Sequence, residues 1–135
     1  MTEKYFKKSR TEYKLKQYME EAQKEFKSYE KNHSDSAKLA EAGEKLWGAL
    51  NCLIELKTDK ALKSRNEVKK AVYATMDSTL ISIYERAYQL HLFFYGYADS
   101  LEEIAEIYKT VNAGLHTYFL ELENKEIKRK KLVHV

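Results

Sequence analysis

A chain of 135 residues is the length of one domain, enough to bury roughly two-thirds of its unfolded surface without disulfides or metals. The absence of proline, four glycines and 33% charged residues of nearly balanced sign suit a helical bundle, and no period-2 run bounded by turn residues argues for a sheet. A net charge of +3 is too small to imply nucleic acid by itself, and no clean run of about 20 apolar residues offers a membrane span.

The single cysteine, Cys52, has no partner for an internal disulfide and, among apolar neighbours, reads as a small buried hydrophobe of a reducing compartment. Met1-Thr2-Glu3-Lys4 leads into a charged helix with no apolar core of signal-peptide length, so a cytoplasmic location is expected. Enrichment in Lys and Glu without proline points to a thermophilic source.

From Lys4 to Asn32 the apolar residues Leu15, Met19, Ala22, Phe26 and Tyr29 step by four and three, which predicts one long amphipathic first helix within residues 1–33. Asn32 to Ser36 is a cluster of turn and N-cap residues. The second helix, Ser36 to Lys57, carries Leu39, Leu46 and Leu53 beside a stripe of Ala40, Gly43, Trp47, Leu50 and Ile54, a face wide enough for two neighbours. Gly43 and Gly48 within it are small enough to let other helices come close. A basic connector leads to Ser64-Arg65-Asn66-Glu67, which has the form of a capping box and opens a third helix running to about Met76.

Asp77-Ser78-Thr79 is expected to cap a fourth helix that ends near Gly96. It is the most apolar long run, with Ile83, Ala87, Leu90 and Phe94 on one stripe widened by Leu80, Tyr84, His91 and Tyr95, so it is expected to be the central helix. Asp99 or Ser100 caps a fifth helix whose apolar face runs from Ile104 to Leu122 and which extends to about Lys130. Five helices with short connections predict an all-α, up-and-down antiparallel bundle in a single domain over residues 1–135, with a basic tail over 125–135.

Two residues interrupt the fourth helix's pattern, His91 in the apolar face and Arg86 at its polar edge. Together they have the composition of a metal-independent ribonuclease site, in which His moves a proton at a ribose hydroxyl and Arg stabilises charge on the phosphate. Five helical residues separate them by about 140° around the axis and about 7.5 Å along it, so they meet at one phosphate only across a groove or a dimer interface. The alternative is structural: His91 bonded to a neighbouring helix and Arg86 on the surface. Basic residues gather at Lys57, Lys60, Lys63, Arg65, Lys69 and Lys70, and again at Lys125, Lys128, Arg129, Lys130 and Lys131, where they can meet phosphate or simply form a solvated face. His33, His91, His116 and His134 lack zinc spacing, and Glu30-Lys31-Asn32-His33 supplies one Glu-x-x-His where a di-iron bundle needs two. No metal site and no cofactor are expected, there being no phosphate loop, dinucleotide turn or Cys-x-x-Cys pair.

The segment from Ala40 to Leu50, with its small residues, Glu44-Lys45 and Trp47, and the segment Leu90-His91-Leu92-Phe93-Phe94-Tyr95, with the form Leu-His-x-x-Phe-Tyr, carry a likeness to a known group. Together with helix order over roughly residues 36–122, the chain resembles the HEPN superfamily of small helical bundles, and more closely its archaeal PaREP branch. The resemblance implies a HEPN-like bundle, commonly a homodimer, in a superfamily of RNA-cutting toxins and of helpers of small nucleotidyltransferases. It also implies a role for Arg86 and His91, because HEPN ribonucleases carry Arg, four to six residues, then His. Active members place a polar residue after that Arg where this chain has Ala87, and Phe93 and Gly96 replace polar or acidic residues of the branch. Three readings follow from the residues and the resemblance together. The first is a module that associates with RNA, nucleotides or a protein partner, the second an endoribonuclease using Arg86 and His91, and the third a purely structural oligomer.

Overall fold

The computed structural model describes residues 8–96 and 100–133, with side chains described through residue 128. Among the described residues there are five helices and no strand: α1 (Lys8–Lys31), α2 (Ser36–Thr58), α3 (Arg65–Ala74), α4 (Ser78–Phe94) and α5 (Leu101–Val133). The all-α bundle read from the sequence is therefore the observed architecture. Residues 1–7 of the expected first helix, the candidate cap Asp99, the side chains of Arg129, Lys130 and Lys131, and His134 lie outside the described residues.

Short polar residues set the helix starts. The Asp35 carboxylate accepts from the Lys38 N–H at 3.2 Å and opens α2, and the Asp77 carboxylate accepts from the Thr79 and Leu80 N–H groups, each at 3.1 Å, and opens α4. The Ser64 hydroxyl accepts from the Glu67 N–H at 3.2 Å, while the Glu67 carboxylate reaches back to the Lys63 N–H at 2.7 Å, one residue earlier than a standard capping box. Ser100 caps α5 through the Glu103 N–H. Gly96 takes a positive φ of 93° just past the end of α4, the left-handed turn that glycine adopts without strain.

Helices α1 and α2, α2 and α4, and α4 and α5 run antiparallel, with Tyr18 at Gly48 and Glu21 at Lys45, Trp47 at Tyr84 and Glu44 at His91, and Ile83 at Gly114 and Asp77 at Tyr118, which leaves α2 and α5 parallel where they meet. Glu21 pairs with Lys45 at 2.7 Å between α1 and α2. Gly43 lies against Leu90 between α2 and α4, and Gly114 against Ile83 between α4 and α5. The hub, however, is α2 and not α4: α2 packs against each of the other four helices, whereas α4 meets α2, α3 and α5. The reason is the width of the apolar face. Ten residues of α2 are buried, including Leu39, Leu46, Leu50, Leu53 and Ile54, and its glycines admit α4 at Gly43 and the Tyr18 ring of α1 at Gly48. The apolar run of α4 continues past the core, leaving Phe94 41% and Tyr95 64% exposed.

Candidate functional site

Three helical stripes converge beside His91. On α4, Tyr84, Tyr88 and His91 step by four and three along one edge. On α2, Glu44, Trp47 and Asn51 do the same, and on α1 Arg10, Lys14 and Tyr18 step by four. Because α2 lies between α1 and α4, parts of these stripes border one groove of about 380 Å³: Arg10, Lys14 and Tyr18 of α1, Trp47 and Asn51 of α2 and His91 of α4, with Lys63, Ser64 and Arg65 at the start of α3.

His91 is held on two sides. Its Nδ1 lies 2.9 Å from Glu44 Oε1, with both side chains about a quarter exposed, at 24% and 26%. Its ring stacks on Trp47 at 5.0 Å between centroids, and Tyr88 lies 6.0 Å away. A carboxylate only accepts, so Nδ1 carries the hydrogen in that bond and Nε2 is the ring nitrogen that Glu44 leaves unengaged. Nε2 accepts a proton when the ring is neutral and donates one when it is charged, which is the equipment of a general acid or base.

Arg65 belongs to the same assembly. Its guanidinium sits 4.4 Å over the Tyr88 ring, which in turn lies 5.8 Å from Trp47, so an unbroken ladder runs from Arg65 through Tyr88 and Trp47 to His91. Stacking holds a guanidinium in place without neutralising it and leaves its N–H donors able to bond an anion. Burial pushes the Tyr84 phenol above its ordinary pKa, and the nearby Arg65 charge pulls it part of the way back. Among the described residues the Tyr84 hydroxyl nevertheless finds no hydrogen-bond partner of good geometry. Among the described residues that line it the groove is cationic, with Arg10, Lys14, Lys63 and Arg65 against the one carboxylate of Glu55. That carboxylate is already engaged, accepting from the Leu62 N–H at 2.9 Å.

The residues singled out in the sequence divide in consequence. His91 lines the groove; Arg86 is exposed and does not. The two are thus not gathered into this groove of a single chain, as their angular separation on one helix requires. The middle basic cluster splits as well. Lys63 and Arg65 border the His91 groove, and Lys60 and Lys70 border a separate depression between the α2–α3 connector and α3. Lys69 lies over the Tyr73 ring at 6.0 Å, and Lys57 over the Tyr118 ring at 5.4 Å. Lys128, near the end of α5, is exposed. Among the described residues no three His, Cys, Asp or Glu side chains come together in a way that could hold a metal ion. His33 stacks on Tyr29 at 5.1 Å, and His116 is exposed.

Sequence reasoning missed Glu44 as the partner of His91, and Arg10, Lys14 and Tyr18 as a wall of the groove. The signal for the last three was their four-residue spacing along the polar side of α1.

Fold and site together define an all-α five-helix bundle carrying a histidine in a cation-rich groove. Comparison with protein-family models, with curated proteins and with solved structures finds no match. Among the described residues no helix is long and apolar enough to cross a membrane.

Proposed function

We propose that the chain is a HEPN-like module that binds RNA or nucleotides through the groove beside His91. The observation that carries this reading is the charge balance there: four cations face a carboxylate whose bond to the Leu62 N–H is already made. Such a surface draws phosphate, and the half-buried rings of Tyr18 and Tyr88 beside it suit a nucleotide better than a bare anion. A homodimer, with a small nucleotidyltransferase as a further partner, completes the proposal on the strength of the resemblance alone, and a cytoplasmic location goes with the unpaired Cys52.

The Glu44–His91 hydrogen bond favours a second reading, that of a metal-independent endoribonuclease. A carboxylate-oriented imidazole beside a phosphate-binding cation is what ribose 2′-hydroxyl activation requires.

A labelled RNA pool, incubated in EDTA with the full-length protein, tests both. Binding should weaken by about 50-fold between 50 and 200 mM salt if four cations contact the strand. Cleavage by the wild type and not by a folded His91→Ala variant would select the nuclease; salt-dependent binding without cutting would select the module. A protein that neither binds nor cuts at 50 mM salt would overturn both and leave a protein partner or a structural oligomer.

A further inference from the structure

Resting on that reading, we infer that the phosphate-binding residue working beside His91 is Arg65 and not Arg86, so that one chain carries a complete site for a single phosphorylated nucleotide unit. Arg65 and His91 line the same groove and are joined by the Tyr88–Trp47 ladder, whereas Arg86 lies outside it. The pairing is built by the fold. Ser64 fixes the first turn of α3 by capping the Glu67 N–H, which sets where Arg65 leaves the helix, and Tyr88 then holds the guanidinium by its face. Glu44 fixes the imidazole through its Nδ1.

Arg10 and Lys14 of α1 add charge across the groove, and Asn51 lines its floor with its amide held by the Trp47 carbonyl at 2.7 Å. A volume of about 380 Å³ lies at the low end of the range for small-ligand sites, room for one nucleotide and not for a stacked pair. The bound group is therefore a nucleotide phosphate, supplied either by a free nucleotide or by one unit of an RNA strand.

The test is equilibrium binding of uridine monophosphate, of adenosine monophosphate and of a short single-stranded RNA to the full-length protein at low salt. Arg65→Ala, Arg65→Lys, Lys63→Ala and Arg86→Ala are compared, each variant first being checked for unchanged helicity. Arg65→Ala should weaken binding at least tenfold and Lys63→Ala about twofold. Arg65→Lys should recover only part of the loss, because a lysine keeps the charge without the fork, and Arg86→Ala should stay within twofold of wild type. Binding of both nucleotide and RNA with this pattern assigns the site to free nucleotides. Binding of RNA alone with the same pattern assigns it to a unit of a strand, and either result supports Arg65. If RNA binds but Arg65→Ala is within twofold of wild type, or Arg86→Ala carries the loss, the inference fails while RNA binding stands. If the wild type binds neither probe, inference and proposed function fail together.

Discussion

The hydrogen bond from the Tyr118 hydroxyl to Asp77 Oδ2, 2.6 Å long, ties the first turn of α4 to α5 and so anchors the helix that presents His91. Asp77 has two tasks at once, since its other oxygen caps the Thr79 and Leu80 N–H groups. Asp77→Ala removes both. A lost cap costs about 1 kcal/mol. Leaving the Tyr118 hydroxyl, on a side chain only 8% exposed, without an acceptor adds about 1 to 3 kcal/mol, so the variant should lose about 2 to 4 kcal/mol in all.

Tyr118→Phe removes the cross-helix bond and spares the cap, because the Asp77 carboxylate is still partly hydrated, and should cost about 1 to 2 kcal/mol. Asp77→Asn keeps a capping oxygen and a neutral acceptor and should cost less than either. Urea denaturation followed by circular dichroism at neutral pH reads all three, and the double variant Asp77→Ala/Tyr118→Phe should lose less than the sum of the singles.

The pH dependence has a definite sign at each end. The Tyr118 hydrogen bond, with the two capping N–H groups, holds the Asp77 carboxyl below the usual carboxylate range. Its contribution is therefore full above about pH 4 and fades as pH falls through the lowered folded value. Burial, reinforced by the bond to Asp77, raises the Tyr118 phenol, so that side's contribution is full below about pH 10 and fades as pH rises beyond it. A Tyr118→Phe protein as stable as wild type at neutral pH, or strictly additive losses in the double variant, would refute the reasoning.

Further outcomes follow from other contacts. A methyl group on Gly114 would run into the Ile83 side chain, so Gly114→Ala should lose about 1 kcal/mol in spite of its better helix propensity. In an Ile83→Val background, which lacks the δ-methyl, the same change should be neutral or stabilising by thermal denaturation. Burial raises the Cys52 thiol to about 11, and alkylation of the native protein at pH 8 should therefore run about 100-fold or more slower than that of the urea-unfolded chain. The Glu44 contact predicts that neutral His91 carries its hydrogen on Nδ1, visible in long-range proton–nitrogen correlation spectra. Glu44→Ala should remove that preference, and an unchanged tautomer would show that the carboxylate does not orient the ring.

Helix positions and caps were readable in the sequence because each is a local property. Ser64, Asp77 and Ser100 precede apolar periodicity by the spacing a cap needs, and the structure uses all three. The hub was misread because apolarity along α4 reports how much surface must be buried and not by how many neighbours. The two stripes and paired glycines of α2 held that answer. His91 was readable as an oddity, a polar group on an apolar face. Its partner was not, because Glu44 lies 47 residues away and meets it only through antiparallel packing of α2 on α4. Arg65 was readable only as one of a basic run. The N-terminal turn of α3 and the stacking surface of Tyr88 single it out from Lys60 and Lys69, and both depend on tertiary structure.

RNA is proposed to meet this chain in the groove beside His91. The most direct measurement is photocrosslinking of the full-length protein to a short RNA carrying 4-thiouridine, with the modified residues mapped by mass spectrometry. Adducts are expected on peptides containing Tyr18, Tyr88 or His91, abolished by 0.5 M salt. Adducts confined to the lysine-rich end of α5, with none in the groove, would contradict it.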